Sequence, residues 1–433
     1  MTTMTNKWKP AIALLALSLS GQVPVRDGDG ADAEVKQFRF DELEARLRTM
    51  QPGPERDYFA GVLANRSGRL AESIGLLKNA LPVFRASRPD RAAVALEALA
   101  DDYTKNFRYA DAAEAYDDLL THFASEVSGP ARLQDTKDNS AILHILDEAP
   151  AQTIAWDGPV HLKTGRNTLG LLDTDLTVNG VHEQWLLDTG ANLSVVSRSF
   201  ARRLGLVPLP GAAQTTSGMT GIENPLSVAL VPVLQMGGAK VQNVVVMILD
   251  DANLNIQLSR TARYQINGII GYPVFRALGK VGFLHNGGFE AGDGLRGNTA
   301  GARMYMNLLN PVIECGVEGV MLPFSFDTGA ASTDLSVRYY EQFRGESGKW
   351  KKSTGMHGGA GGAVKHAVYI QPQLRLRIGD RSVTLNGVSV LPSAMGAGID
   401  ELYGNIGQDV VAKFDSFTID FANMTFSLGT PLP

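Results

Sequence analysis

The sequence predicts a mainly β protein of two duplicated β-barrel lobes related by a pseudo-twofold axis, preceded by a small all-α domain. Three observations predict it. From about residue 38 to 125 the chain is rich in Ala, Leu, Arg, Glu and Asp at helical spacing. From about 166 onward it changes to short β-type runs, TDLTVNG, VQNVVVMIL, LRLRIG and SFTIDF among them, separated by Gly- and Asn-rich turns. Within that β part, four landmarks recur in one order at nearly one offset.

Taken in order, the chain opens with Lys7 and Lys9, the apolar run AIALLALSLS (11–20), and the polar stretch GQVPVRDGDG. A basic start, a short apolar core and the small residues Ser18 and Ser20 before Gly21 resemble a secretory signal peptide over 1–21. The run is shorter than the about 20 apolar residues a membrane span needs. The expectation is an exported protein, periplasmic or secreted, with no stable transmembrane segment after signal removal.

A helical domain is expected at 36–125. There GRLAESIGLLKNAL (68–81) aligns with FRYADAAEAYDDLL (107–120), 39 residues further on. Each follows another helical segment, RDYFAGVLANRS or RAAVALEALADDYTKN, and the small Ala71 and Ala110 let paired helices approach. The pattern resembles tetratricopeptide (TPR-like) hairpins, and an unrelated small bundle would explain it too. Such repeats commonly recruit a protein partner. Residues 126–165 lack periodicity and read as a linker or a first edge strand. The lobes are placed at 166–293 and 301–433, the first containing the hairpin VNGVHEQWLLD, which turns at Asn179-Gly180 and ends on Asp188.

The landmarks identify the copies. WLLDTGANLSVVS (185–197) is matched by FSFDTGAASTDLS (324–336), so Asp327 stands 139 residues after Asp188. Ser197 and Ser336, candidate N-caps of the helices that follow, share that offset. SGMTG (217–221) answers TGMHG (354–358), and NGIIGYPVF (267–275) answers GNIGQDVVAKF (404–414). A lone Asp-Thr-Gly is a common turn. Two copies with matching downstream landmarks are a duplicated lobe.

This order of motifs resembles the retropepsin-like and pepsin-like aspartic proteases, in a bacterial single-chain form with two Asp-Thr-Gly-Ala lobes. The resemblance implies a hydrolase, an aspartic endopeptidase acting on protein or peptide substrates, with Asp188 and Asp327 as the catalytic pair. Amide hydrolysis without a covalent intermediate needs a base for water and an acid for the carbonyl oxygen. Two carboxyls sharing one proton supply both. Thr189 and Thr328 would then bond across the lobe junction, and Gly190 and Gly329 would let the loops meet. Gly271 and Gly407, each after two mainly apolar residues, would support the loops from behind, with Asn405 departing from the apolar pattern. Gly218-Met219 and Gly355-Met356 would tip two flaps over the substrate. Ala191 and Ala330 carry no hydroxyl, so the pair is expected to work nearer neutral pH than a pepsin.

The remaining signals narrow the reading. A formal net charge of −5 gives no electrostatic case for nucleic acid. Cys315 is the only cysteine, which excludes intrachain disulfides and cysteine-based metal clusters. The glycines of GMHGGAGGAVKHA (355–367) lack P-loop spacing, and the seven histidines form no HExxH motif. No Gly-x-Ser-x-Gly supports a serine nucleophile. No cofactor or metal is therefore expected. The alternative from another class is a catalytically silent peptide-binding or scaffold protein that keeps the protease fold.

Overall fold

The computed structural model describes residues 27–216, 222–257, 261–292, 294–295, 301–359, 362–395 and 400–433. The signal-like segment 1–21 and the hairpin tip at Gly218-Met219 lie outside the described residues. The N-terminal region is a layer of helices: α1 (Asp27–Lys36), α2 (Phe40–Leu47), α3 (Pro54–Arg66), α4 (Leu70–Ser87), α5 (Pro89–Lys105), α6 (Tyr109–His122) and α7 (Gly129–Ile145). Among the described residues no helix is long and apolar enough to cross a membrane.

One turn is used three times in this layer. Phe38, Gly68 and Phe107 each adopt a left-handed backbone, at φ 56°, 71° and 58°. After each comes an arginine whose N–H reaches back to a helix carbonyl: Arg39 to Glu34, Arg69 to Ala64 and Arg108 to Tyr103, all at 2.9 Å. This is a Schellman-type stop, and it reverses the chain into α1–α2, α3–α4 and α5–α6 hairpins. Sequence reading found the last two. The first was missed because DGDGADAEVK shows little apolar period. Small residues set the close packing: a Cβ on Gly61 would sit 2.7 Å from Leu77 Cγ.

The stretch 126–165, expected as a linker or a first edge strand, is structured, and the helical layer runs past residue 125. The stretch holds α7 and the strands Thr153–Trp156 and Val160–Arg166. The buried face of α7 carries Thr136, Asp138 and Ser140 beside Ile142 and Leu143, so a hydrophobic period is nearly absent.

The β body follows. Leu172–Val178 and Val181–Leu187 form the expected hairpin, with Asn179 at φ 50° and Gly180 at φ 79° as a type I′ turn demands. Gly268–Ile270 lies parallel to the end of Val181–Leu187 and antiparallel to Ser194–Ser197. The second half repeats the pattern. Gly404–Ile406 lies parallel to the end of Val320–Phe326 and antiparallel to Asp334–Leu335. A shared sheet joins the halves, ordered Val160–Arg166, Gly288–Ala291, Lys280–Leu284, Ser416–Asp420, Thr425–Leu428 and Ala302–Asn307. Ser197 and Ser336 cap the helices Arg198–Arg203 and Val337–Phe343 as expected, their hydroxyls accepting N–H bonds from Phe200 and from Arg338 and Tyr339.

The helical layer is fused to the β body. One apolar cluster runs from Phe40, Phe59 and Leu119 into Leu186, Val228, Ile269 and Tyr305. At its edge Phe40 packs on Tyr305 with ring centroids 4.6 Å apart, and Arg66 donates to Asn307 Oδ1 at 2.9 Å. Burial on this scale, at roughly 25 cal/mol per Å² of apolar surface, holds the layer in place far more firmly than the rim ion pairs of Arg303 with Asp41 and Glu44.

Candidate functional site

Two strands end on the same tetrapeptide and are closed off the same way. Asp188 N–H donates to the Ile270 carbonyl at 3.1 Å, and Asp327 N–H to the Ile406 carbonyl at 3.0 Å. Each carboxylate-bearing turn is thereby tied to the short strand behind it. That strand must run very close to the turn. A Cβ on Gly271 would lie 2.6 Å from the Leu193 carbonyl carbon, and one on Gly407 would lie 2.6 Å from that of Ser332. Only glycine fits either position.

The two turns interlock through buried threonines. Thr189 N–H donates to Thr328 Oγ1 at 2.9 Å, and Thr328 N–H donates to Thr189 Oγ1 at 3.0 Å. The hydroxyls then donate across the junction, Thr189 to the Phe326 carbonyl at 3.3 Å and Thr328 to the Leu187 carbonyl at 2.7 Å. Gly190 and Gly329 complete the contact. A Cβ on Gly190 would stand 2.5 Å from Asp327 Cγ, and one on Gly329 would stand 2.5 Å from Asp188 Cγ. Each carboxyl thus rests against the other turn's glycine, which sets Asp188 and Asp327 beside each other.

The electrostatics follow from this crowding. Burial pushes the Asp188 carboxyl well above the usual carboxylate range. The Asp327 charge and its hydrogen bond push the same way, against the N–H groups of Gly190 (2.9 Å) and Ala191 (3.1 Å). Both aspartates keep a partly exposed surface. Two acids in contact cannot both ionise comfortably, so they titrate as one unit.

Sequence reasoning missed several supports. Ser194 Oγ accepts the Gly271 N–H at 3.1 Å, and Thr333 Oγ1 accepts the Gly407 N–H at 3.2 Å. These two also stand 139 residues apart, so the offset that found the aspartates could have found them. Asn405, noticed only as a departure from an apolar pattern, accepts a hydrogen bond from Ser325 Oγ at 2.7 Å and points its amide at Asp327 Oδ2, 3.4 Å away. Gln408 donates to the Thr328 carbonyl at 2.7 Å and accepts from Arg166 at 3.0 Å.

A cavity of about 330 Å³ opens beside Asp327. The β body contributes Gly190, Ser325, Asp334 and Asn405 to its lining, and the helical layer contributes Glu97, Tyr116, Arg132 and Asp135. Gly355 and Met356 do not line it. They lie in the strand Lys351–Gly359, opposite His366 and Lys365, with Met356 64% exposed. Their neighbour His357 is buried and meets Asp334 of the cavity wall at 3.3 Å. Cys315 is buried. No group of three or more His, Cys, Asp or Glu among the described residues is placed to hold a metal ion.

Two strand-borne acids on interlocked Asp-Thr-Gly-Ala turns define a carboxyl-pair site. Residues 174–274, which carry Asp188 and its supporting strand, match the family model for aspartyl protease, and this supports an aspartic protease family. Asp327 lies outside the matched stretch. No curated protein matches the chain. Among solved structures it is similar to basic 7S globulin from soybean, at 10% identity and TM-score 0.42, over 64% of this chain and 95% of that one. It is also similar to conglutin gamma, a basic 7S globulin from lupine seeds, at 12% identity and TM-score 0.39, over 64% and 94%.

Proposed function

We propose that the chain is a two-lobed aspartic endopeptidase that hydrolyses peptide bonds in protein substrates. The observation that supports it best is the reciprocal threonine bonding that sets Asp188 against Asp327. In this reading the resting pair carries one proton, on Asp188, where burial favours the neutral form. Ionised Asp327 takes a proton from water as the water oxygen attacks the carbonyl carbon. Asp188 gives its proton to the carbonyl oxygen. When the tetrahedral diol collapses, a diol hydroxyl returns a proton to Asp188, Asp327 protonates the leaving nitrogen, and the C–N bond breaks. Charge never builds on an unpaired group, which is why a coupled pair suits this chemistry.

The test is cleavage of a peptide library by the wild-type protein and by Asp188→Asn and Asp327→Asn, with and without a pepstatin-type inhibitor. Each variant should lose about 10³-fold or more in kcat/KM, because members of one catalytic unit are not additive. Peptide binding by the wild type with no cleavage would instead support the silent scaffold. Export belongs to the same proposal and rests on residues 1–21, and fractionation of expressing cells checks it. Recruitment of a protein partner by the helical layer is best tested on the full chain, since the layer shares its core with the β body.

A further inference from the structure

The helical layer walls the cavity that holds Asp327, so whatever enters that cavity meets α7. Most of the carboxylates lining the cavity are already engaged. Glu97 receives Arg132 in a two-point contact at 3.0 and 2.8 Å. Asp138 accepts from Gln134 at 2.8 Å, Gln214 at 3.3 Å and Thr216 at 3.1 Å. Asp334 faces His357, and Asp327 is held by the Gly329 N–H at 2.6 Å and by Asn405. The Asp135 side chain has no hydrogen bond and no ion pair among the described residues, although it too lines the cavity and is half-buried.

Its place on α7 explains this. Residues 132, 135 and 138 are one helical turn apart and share a face. Arg132, the cation closest in sequence on that face, has its guanidinium committed to Glu97. Burial pushes the Asp135 carboxyl above its ordinary range despite the pull of Arg132, and Asp138 and Glu97 add to the rise. A carboxylate kept half out of water without a donor is an unfilled half of a charge-assisted hydrogen bond.

We propose that Asp135 is a specificity-determining residue of the cleft, receiving a lysine or arginine side chain of the bound peptide. This rests on the peptidase reading. It also gives the helical layer a direct part in choosing substrates, since the residue that chooses belongs to a helix outside both Asp-Thr-Gly-Ala halves.

The experiment compares matched peptides that differ at one residue, Lys, norleucine or Glu, each with a free or an acetylated N-terminus. They are given to the wild type, Asp135→Asn and Asp135→Lys, and kcat/KM is read as the Lys-to-norleucine ratio. That ratio should exceed one in the wild type, fall about tenfold in Asp135→Asn, and give way to a preference for the Glu peptide in Asp135→Lys. An unchanged ratio in Asp135→Asn overturns the proposal, whether or not Asp135→Lys folds. A preference that follows the free N-terminus and ignores the side chain overturns it as well. Binding of the same peptides to the Asp327→Asn protein separates the two claims. If the wild type cleaves nothing, the peptidase reading fails, and the binding preference and its loss in an Asp135→Asn, Asp327→Asn double variant still decide the role of Asp135.

Discussion

The two Asp-Thr-Gly-Ala turns have the same backbone and different surroundings. Each aspartate ends a strand, lies against a parallel strand behind it, and meets the other turn's glycine. Around Asp188 the flanking positions are Leu186 and Ile269, and among the described residues its carboxyl accepts from the backbone N–H groups of Gly190 and Ala191. Around Asp327 the matching positions are Ser325 and Asn405, a hydrogen-bonded polar pair whose amide faces the carboxyl. The duplicated backbone fixes where the acids stand. The unduplicated side chains set the surroundings apart: burial favours a neutral Asp188 beside its apolar flank, whereas an amide faces the Asp327 carboxyl.

The shared geometry should break symmetrically. Gly190→Ala and Gly329→Ala each drive a Cβ into the facing carboxyl, at 2.5 Å in both cases. We expect each to lower kcat/KM at least about a hundredfold, the scale on which an ångström of misplacement acts. Gly345→Ala, where a Cβ meets open space, is the control and should alter stability by no more than about 0.5 kcal/mol. A mild phenotype at either turn glycine would mean the halves are not held together as the threonine bonds require.

The threonines should break less evenly. Thr328→Val and Thr189→Val each remove a buried hydroxyl and strand its partners, at a cost of about 1–3 kcal/mol in denaturant unfolding. Thr328 makes the shorter onward bond, 2.7 Å against 3.3 Å for Thr189, so its loss should cost more. Equal losses would show that the difference in bond length carries no energy.

What could be read in the sequence follows the same division. The aspartates, their glycines and the two helix caps were legible because duplication writes each of them twice at one offset. Ser194 and Thr333 were legible by that rule and passed over, since a serine and a threonine are less conspicuous as a pair. Asn405 stands in the repeat at the place of Ile269 but breaks its apolar pattern, and its role depends on a side-chain contact that only the folded chain displays. The helix α7 was hidden for a different reason. Its buried face carries Thr136 and Asp138 where it lines the cavity and turns apolar only at Ile142 and Leu143, and a helix that covers a polar site need not show an apolar stripe along its length. Its Asp138 also holds the strand Ala213–Thr216 through Gln214 and Thr216, a tie no local pattern announces.

The finest test makes the second turn resemble the first. Asn405→Ile gives Asp327 the flank that Asp188 has, and removes the amide that stabilises its charge. The sign is fixed by which form the bond favours. Without the donor the pair gives up its first proton less readily, so its lower apparent pKa rises, and the acid limb of kcat/KM against pH moves to higher pH. At 3.4 Å the bond is long, so the displacement of the limb is expected to be small. Ile269→Asn, the reciprocal change, offers Asp188 a donor, so the pair gives up its second proton more readily and the alkaline limb moves to lower pH. A purely structural role for Asn405 would lower the rate at every pH and leave the limb in place. Opposite shifts from the two variants would locate the charge preference of the pair in its flanks, because the turns themselves would be unchanged.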